Sequence, residues 1–275
     1  MLIFPNAKLN LGLYVTAKRP DGYHALETVF LPLPWADALE VLPAPKGQAA
    51  PSLTLTGRPI PGDVATNLCL KAYELLKADF PQLPAVQMQL HKIVPTGAGL
   101  GGGSADAAFA LRALNDLFAL HLTVAQLESY ARRLGADCAF FIENQPRLAL
   151  ERGDIFEPIG VDLRGTACVV VYPGLHISTA QAFAGIVPQA PAVPLREALA
   201  QPLATWRDTV FNDFEKSLAP TYPVLADIKQ QLYAAGAAYA SLSGSGSAVY
   251  GLFPGAAEAP ALPWPGEYLV WRGQL

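Results

Sequence analysis

The sequence predicts a chain of mixed α and β class organised around one glycine-rich turn. Three observations predict it. Much of the first third alternates apolar and polar residues as strands do. Later stretches repeat their apolar residues at helical spacing, and five glycines lie directly between a strand and a helix.

In chain order, Ala7, Leu9, Leu11, Leu13 and Val15 stand at alternate positions, with Lys8, Asn10 and Tyr14 on the other face. Arg19-Pro20-Asp21-Gly22 is a turn signal, and Leu26 to Leu33 resumes as a strand. Pro43 to Pro51 reads as a loop, Ser52 to Thr56 as a short strand, and Pro59 to Asp63 as another turn. From Asn67 to Phe80 the residues Leu68, Ala72, Leu75, Leu76 and Phe80 recur at helical spacing. Val86, Met88 and Leu90 then alternate with Gln87, Gln89 and His91, a half-buried strand leading into Pro95. Ser104 to Leu117 is a helix with Ala108, Leu111, Leu114 and Leu117 on one stripe. Thr123 is suited to cap a helix that runs to Leu134, and Gly135 to end it.

The pattern restarts near Ile159 to Thr166, and a boundary around residues 155 to 165 divides the chain into domains 1–158 and 159–275. The second part opens with the buried strand Ala167 to Tyr172 and a Pro- and Ala-rich surface excursion between Val187 and Pro202. It continues with a helix from Pro223 to about Ala235, the segment Ser241 to Phe253, and an irregular Pro-rich tail.

Composition narrows the function. At 275 residues, 52% hydrophobic and 15% charged, the chain has ample material for a core and is far from a disordered composition. A formal net charge of −4 argues against a nucleic-acid binder or a basic membrane-surface protein. An anionic ligand would have to be held by local backbone dipoles and one or two placed cations. Cys69, Cys138 and Cys168 are too few and too scattered for a disulfide framework or a zinc site, and read as buried thiols in a reducing compartment. The start MLIFPNAKLN lacks the charge and the apolar stretch of a signal peptide, and no window has the length of a membrane span. The expectation is a soluble, cytoplasmic protein with a small-molecule ligand and no nucleic-acid, membrane or obligate protein partner.

The glycine-rich segment is Pro95, Thr96, Gly97, Ala98, Gly99, Leu100, Gly101, Gly102, Gly103, Ser104 and Ala105. Glycine allows positive φ and close approach of a ligand to the backbone. Convergent N–H groups and the positive end of a helix dipole then make a phosphate site. No Lys-Ser/Thr pair follows the glycines, so this is not a Walker A loop. Gly97-x-Gly99-x-x-Gly102 matches a dinucleotide fingerprint by letter, but the strand before it alternates as an antiparallel strand with one wetted face does. A flexible linker is the remaining alternative, and linkers seldom run from an amphipathic strand straight into a strong helix.

These residues resemble the phosphate-binding motif of the GHMP kinases, the superfamily of galactokinase, homoserine kinase and mevalonate kinase. Asn6 to Leu13 (NAKLNLGL) resembles the first motif of that superfamily, and Ser243 to Ala248 (SGSGSA) its third, glycine-rich motif. Lys18 to Thr28 (KRPDGYHALET) and Leu134 to Ile142 (LGADCAFFI) narrow the resemblance to the branch acting on a cytidine-diphosphate-linked alcohol of the non-mevalonate isoprenoid route. The resemblance implies a two-domain α+β fold with mixed and antiparallel sheets, and an active site between the domains. It also implies transfer of the γ-phosphate of ATP, with Mg²⁺, to an alcohol. Three positions depart from the pattern. Ser245 and Ser247 stand in place of Thr and Ala, Ala98 in place of a common glycine, and Gln181 in place of a glutamate.

On the residues alone, Asp137 reads as a turn residue or helix cap and Lys8 as an ordinary solvated lysine. The resemblance makes Asp137 the base, and Lys8 its neighbour that keeps it ionised and counters charge at the transferring phosphate. It likewise assigns Tyr23 and Phe183 to sandwich the cytosine ring, His24 to its polar edge and Asn10 to substrate hydroxyls. Taken singly, Tyr23 and Phe183 would be packing residues. Ser104, at the helix start, is the candidate for a phosphate or for Mg²⁺.

Overall fold

The computed structural model describes all 275 residues, Met1–Leu275. The first six strands are β1 (Leu2–Ile3), β2 (Asn6–Lys18), β3 (His24–Ala36), β4 (Ala38–Pro43), β5 (Ser52–Gly57) and β6 (Val86–Lys92). The other six are β7 (Arg147–Glu151), β8 (Ile155–Pro158), β9 (Ala167–Tyr172), β10 (Tyr239–Leu242), β11 (Val249–Phe253) and β12 (Leu269–Gln274). The helices are α1 (Leu68–Asp79), α2 (Gly102–Leu117), α3 (Val124–Leu134), α4 (Phe140–Glu143) and α5 (Thr179–Phe183). They continue as α6 (Leu195–Leu199), α7 (Trp206–Thr209), α8 (Asp213–Leu218) and α9 (Pro223–Ala234). None is long and apolar enough to cross a membrane.

The strands form three four-stranded sheets, ordered β1-β4-β6-β5, β2-β3-β7-β8 and β10-β11-β9-β12. Packing divides the chain into two compact units. One gathers Met1–Ala7, Trp35–Thr96 and Gly101–Gln145; the other gathers Lys8–Pro34, Gly97–Leu100 and Pro146–Leu275. This grouping is discontinuous in sequence, where the sequence reading places a single cut after residue 158.

In the first unit, α1, α2 and α3 pack together. Ala72, Leu76, Ala107, Leu111 and Leu114 of α1 and α2 are buried, as are Leu39, Val41, Met88 and Leu90 of β4 and β6. Local chemistry sets the helix ends. The Asn67 side chain accepts the Cys69 N–H at the start of α1. Thr123 and Gln126 close a capping box on α3, and Gly135 follows its last turn. Strand β6 pairs antiparallel with β4 but parallel with β5, which corrects the purely antiparallel strand expected. The chain reaches β6 from β5 through α1, a crossover that delivers a parallel neighbour. Its alternation survives because only one face is covered.

The second unit has its core where Val169, Val171, Leu242 and Val249 meet Ile228 and Leu232 of α9 and Phe214 of α8. Three sequence expectations change here. Strand β2 is buried on both faces, so Lys8 and Asn10, at 3% and 2% exposure, do not face water. The segment Ser241 to Phe253 resolves into the hairpin β10–β11, and the tail expected to be irregular ends in β12 on the edge of β9.

Candidate active site

The glycine-rich segment adopts the backbone its composition allows. Gly97, Gly99 and Gly101 have φ of 72°, 79° and 69°, and Ala98 and Leu100 between them are not left-handed. Alternation of this kind aims successive N–H groups to one side. Ala98 therefore occupies a position that needs no glycine, whereas a Cβ on Gly99 would lie 2.0 Å from the Ser243 carbonyl oxygen. Gly101 starts α2 without a side-chain cap, so the first N–H groups of a 16-residue helix stay open. Beside them Gly103 is exposed, with open space where its Cβ would stand.

Within the second unit the carbonyls of this segment are tied down. The Lys8 N–H donates to Leu100 O at 2.9 Å and the Ala248 N–H to Ala98 O at 3.0 Å. The Ser243 hydroxyl donates to Gly99 O at 2.9 Å. The third glycine-rich motif thus braces the segment through its carbonyls, which leaves the N–H side available. Ser247 turns its hydroxyl to Leu175 O at 2.6 Å.

Lys8 and Asn10 form one buried polar chain. Lys8 Nζ donates to Asn10 Oδ1 and stands 4.9 Å from the centre of the Phe30 ring. Asn10 Nδ2 donates to Thr28 Oγ1 at 2.9 Å, and Thr28 in turn to Gly12 O at 2.6 Å. The Asn10 carbonyl accepts from the Tyr250 hydroxyl at 2.7 Å. A buried ammonium with so defined a partner chain is a placed cation, not a solvated lysine.

In the first unit, α3 ends at Gly135 and the chain turns through Ala136–Ala139, carrying half-buried Asp137. Cys138 next to it is buried and hydrogen-bonded with Ser104. Burial pushes the Cys138 thiol up to about 12, with the Ser104 bond opposing and the Asp137 charge adding. The contact sets Ser104, at the start of α2, beside the Asp137 turn.

The residues assigned to cytosine are placed differently from the expected sandwich. His24 and Phe183 stack on each other, centroids 4.7 Å apart and planes 17° apart, and the Phe183 ring also meets Phe214 edge-on at 4.9 Å. Tyr23 is 56% exposed and lies under the Arg152 guanidinium at 4.1 Å. His24 and Phe183 thus each cover one face of the other's ring, a contact that shields both from water. Gln181, where a glutamate was expected, closes a capping box at the start of α5. Its Oε1 accepts from the Ser178 N–H and hydroxyl, both at 2.9 Å, as a glutamate carboxylate would.

Sequence reading missed one cluster in the first unit. Lys92 Nζ lies between Asp37 Oδ2 and Asp106 Oδ2, the latter at 2.7 Å, and all three side chains are buried. Asp37 Oδ1 also accepts the N–H groups of Ile93 and Val94 at 2.5 and 2.9 Å, whereas Asp106 Oδ1 has no partner. Burial raises the Asp106 carboxyl to about 7, with Lys92 opposing and Asp37 adding. Burial pulls Lys92 down, yet the two carboxylates together hold it above its usual value. Lys92 and Asp106 line a cavity of about 190 Å³ with Leu55, Asn67, Thr96 and Gly103. The signal was present: Lys92 continues the apolar register of Val86, Met88 and Leu90, and Asp106 sits in an alanine-rich helix start. A larger cavity of about 500 Å³ in the second unit, bordered by Tyr14, Ile186 and Phe211, holds none of these groups.

The family model described as GHMP kinases N terminal domain matches residues 67–145, and that described as GHMP kinases C terminal matches 195–263. The chain belongs to the GHMP kinases. More particularly, it is 48% identical over 275 residues to a 4-diphosphocytidyl-2-C-methyl-D-erythritol kinase of Bacteroides thetaiotaomicron, covering 100% of both chains. A protein of the same name from Bacteroides fragilis is 53% identical over 253 residues, 92% of each. A solved 4-(cytidine 5'-diphospho)-2C-methyl-D-erythritol kinase superposes with a TM-score of 0.78 at 34% identity, covering 93% of this chain and 91% of that one.

Proposed function

We propose that this chain transfers the γ-phosphate of ATP to the 2-hydroxyl of 4-diphosphocytidyl-2-C-methyl-D-erythritol, a step of the non-mevalonate isoprenoid route. The observation that carries the choice of substrate is the full-length likeness to proteins of that name. The site supplies the chemistry. The open N–H groups of Gly97 to Ser104 and the start of α2 receive the phosphates of ATP. The 190 Å³ cavity bordered by Thr96 and Gly103 takes the nucleoside side of ATP.

The Asp137 carboxylate accepts the proton of the 2-hydroxyl as the oxygen–phosphorus bond forms. The bond between the γ-phosphorus and the bridging oxygen breaks, and ADP leaves with that electron pair. Lys8, held by Asn10, counters charge on the transferring group. No group of three or more His, Cys, Asp and Glu side chains stands ready for a metal ion. The Mg²⁺ that accompanies ATP would be held in part by the Ser104 hydroxyl and would neutralise charge on the phosphates. Tyr23, His24 and Phe183 serve the cytosine, Asn10 the substrate hydroxyls. The protein works in the cytoplasm on small molecules.

The test is ADP release from ATP and Mg²⁺ with the cytidylyl substrate, beside homoserine, mevalonate and galactose. Turnover with the cytidylyl substrate alone is expected. Turnover with another acceptor instead would keep the phosphate site and overturn the substrate, and ATP binding without turnover on any of them would overturn the kinase reading.

A further inference from the structure

The third glycine-rich motif is held in turn by a buried residue that belongs to none of the motifs. Asn212 immediately precedes α8 and is 2% exposed. Its backbone lies along β2, where Leu13 and Asn212 form a parallel bridge and the Leu13 N–H donates to Phe211 O at 2.9 Å. Asp213 adds a second tie to the same strand by accepting the Val15 N–H at 2.8 Å. The Asn212 side chain then works in two directions. Its Oδ1 accepts the Phe214 N–H at 3.0 Å and caps α8, while Nδ2 donates to Leu242 O and Gly244 O, both at 2.9 Å. A side-chain amide has two N–H donors, and both are committed to the turn between β10 and β11.

Those two carbonyls flank Ser243, whose hydroxyl donates to Gly99 O of the cradle at 2.9 Å. Gly244 itself has a φ of 55°, and a Cβ there would lie 3.2 Å from Gly99 O and 3.3 Å from Asn10 Oδ1. The turn is therefore packed between a cradle carbonyl and the side chain that holds Lys8, all within the second unit. Without the amide, two carbonyls on either side of Ser243 would lose their shared donor in a place closed to water. The contact that Ser243 makes with Gly99 then has nothing to fix its height above β2.

We propose that Asn212 is a positioning residue for the phosphate cradle, its amide holding the β10–β11 turn against Gly99 and so setting the affinity for the phosphates of ATP. The inference rests on the function proposed above. Asp, Asn and Ser are comparable helix caps, so Asn212→Asp and Asn212→Ser keep an acceptor for α8 and remove the paired amide donors. Binding of ADP and of adenosine to the whole protein, followed by calorimetry, tests it in both variants. ADP is expected to weaken by about tenfold or more, the scale of leaving buried carbonyls unpaired. Adenosine is expected to stay within about twofold, because the 190 Å³ cavity assigned to it borders none of these residues. In turnover assays the KM for ATP rises in step with the loss of ADP affinity.

Equal weakening of ADP and adenosine would overturn the proposal and reduce Asn212 to general support of the fold. Unchanged ADP binding, or a loss confined to kcat, would overturn it outright. Melting temperatures identify a variant that fails to fold, and failure of both variants would likewise make Asn212 a residue of the fold alone. Wild-type protein that binds ADP no better than adenosine would instead remove the phosphate reading of the cradle, and the inference with it.

Discussion

Replacing Lys92 by Met tests the buried cluster beside the 190 Å³ cavity of the first unit. One ammonium lies against two carboxylates there, so with both ionised the cluster carries a net charge of −1 out of reach of water. Removing the ammonium leaves two acids with no counter-charge, and breaking a buried pair from one side costs about 3–5 kcal/mol. Unfolding entropy of about 2.1 cal/mol/K per residue gives a chain of this size roughly 1.7 °C per kcal/mol. Lys92→Met is therefore expected to melt roughly 5–9 °C below wild type at pH 8, read by calorimetry.

The same cluster sets a pH dependence that checks the assignment. Asp106 titrates near 7 when folded and in the usual carboxyl range when unfolded, so the folded state holds the proton longer. Its contribution to stability is complete at acid pH and is lost as pH rises through about 7. Asp106→Asn removes the surplus charge and leaves the Lys92–Asp37 pair, so its melting temperature is expected to fall less than wild type does between pH 5 and 8. Lys92→Met melting within about 1 °C of wild type at pH 8, or a steeper pH slope in Asp106→Asn, would refute the electrostatic account.

Asp137→Asn and Lys8→Met are each expected to lower kcat by about 10²-fold or more with folding intact, measured as ADP release. Gly99→Ala places a Cβ 2.0 Å from the Ser243 carbonyl oxygen at a φ of 79°, so ATP affinity and melting temperature are both expected to drop. Gln181→Glu keeps the Ser178 capping box and is expected to leave melting temperature and both KM values within error.

Local signals were legible and partner choice was not. Thr123 and Gly135 act on backbone groups within a few residues, so their identity alone located the ends of α3. The glycine run was legible for the same reason, since left-handed φ is a property of single residues. Strand β12 was missed because an exposed edge strand of six residues after a Pro-rich stretch has little burial to pattern it. The parallel β5–β6 pair depends on where α1 returns the chain, which no periodicity in β6 records. The same limit applies to Tyr23, His24 and Phe183. The resemblance assigned the three aromatic residues to one ligand, whereas the His24–Phe183 stack is a contact across about 160 residues of chain.

The cradle shows why three separated motifs accompany one another. A glycine run free to adopt left-handed φ is also free to leave it, and its N–H groups converge only if the carbonyls are restrained. Here three successive carbonyls, of Ala98, Gly99 and Leu100, are taken by Ala248, Ser243 and Lys8. The first motif thus contributes twice, its backbone bracing the cradle and its ammonium remaining with Asn10. Ser243 likewise joins the cradle to the strand that carries Lys8, since its oxygen also accepts the Asn10 N–H at 3.3 Å. Replacing Ser243 by Ala removes both contacts and leaves the Asp137 turn untouched. Its cost should therefore appear first in the KM for ATP, and a loss confined to kcat would mean that the motif does something other than hold the cradle's shape.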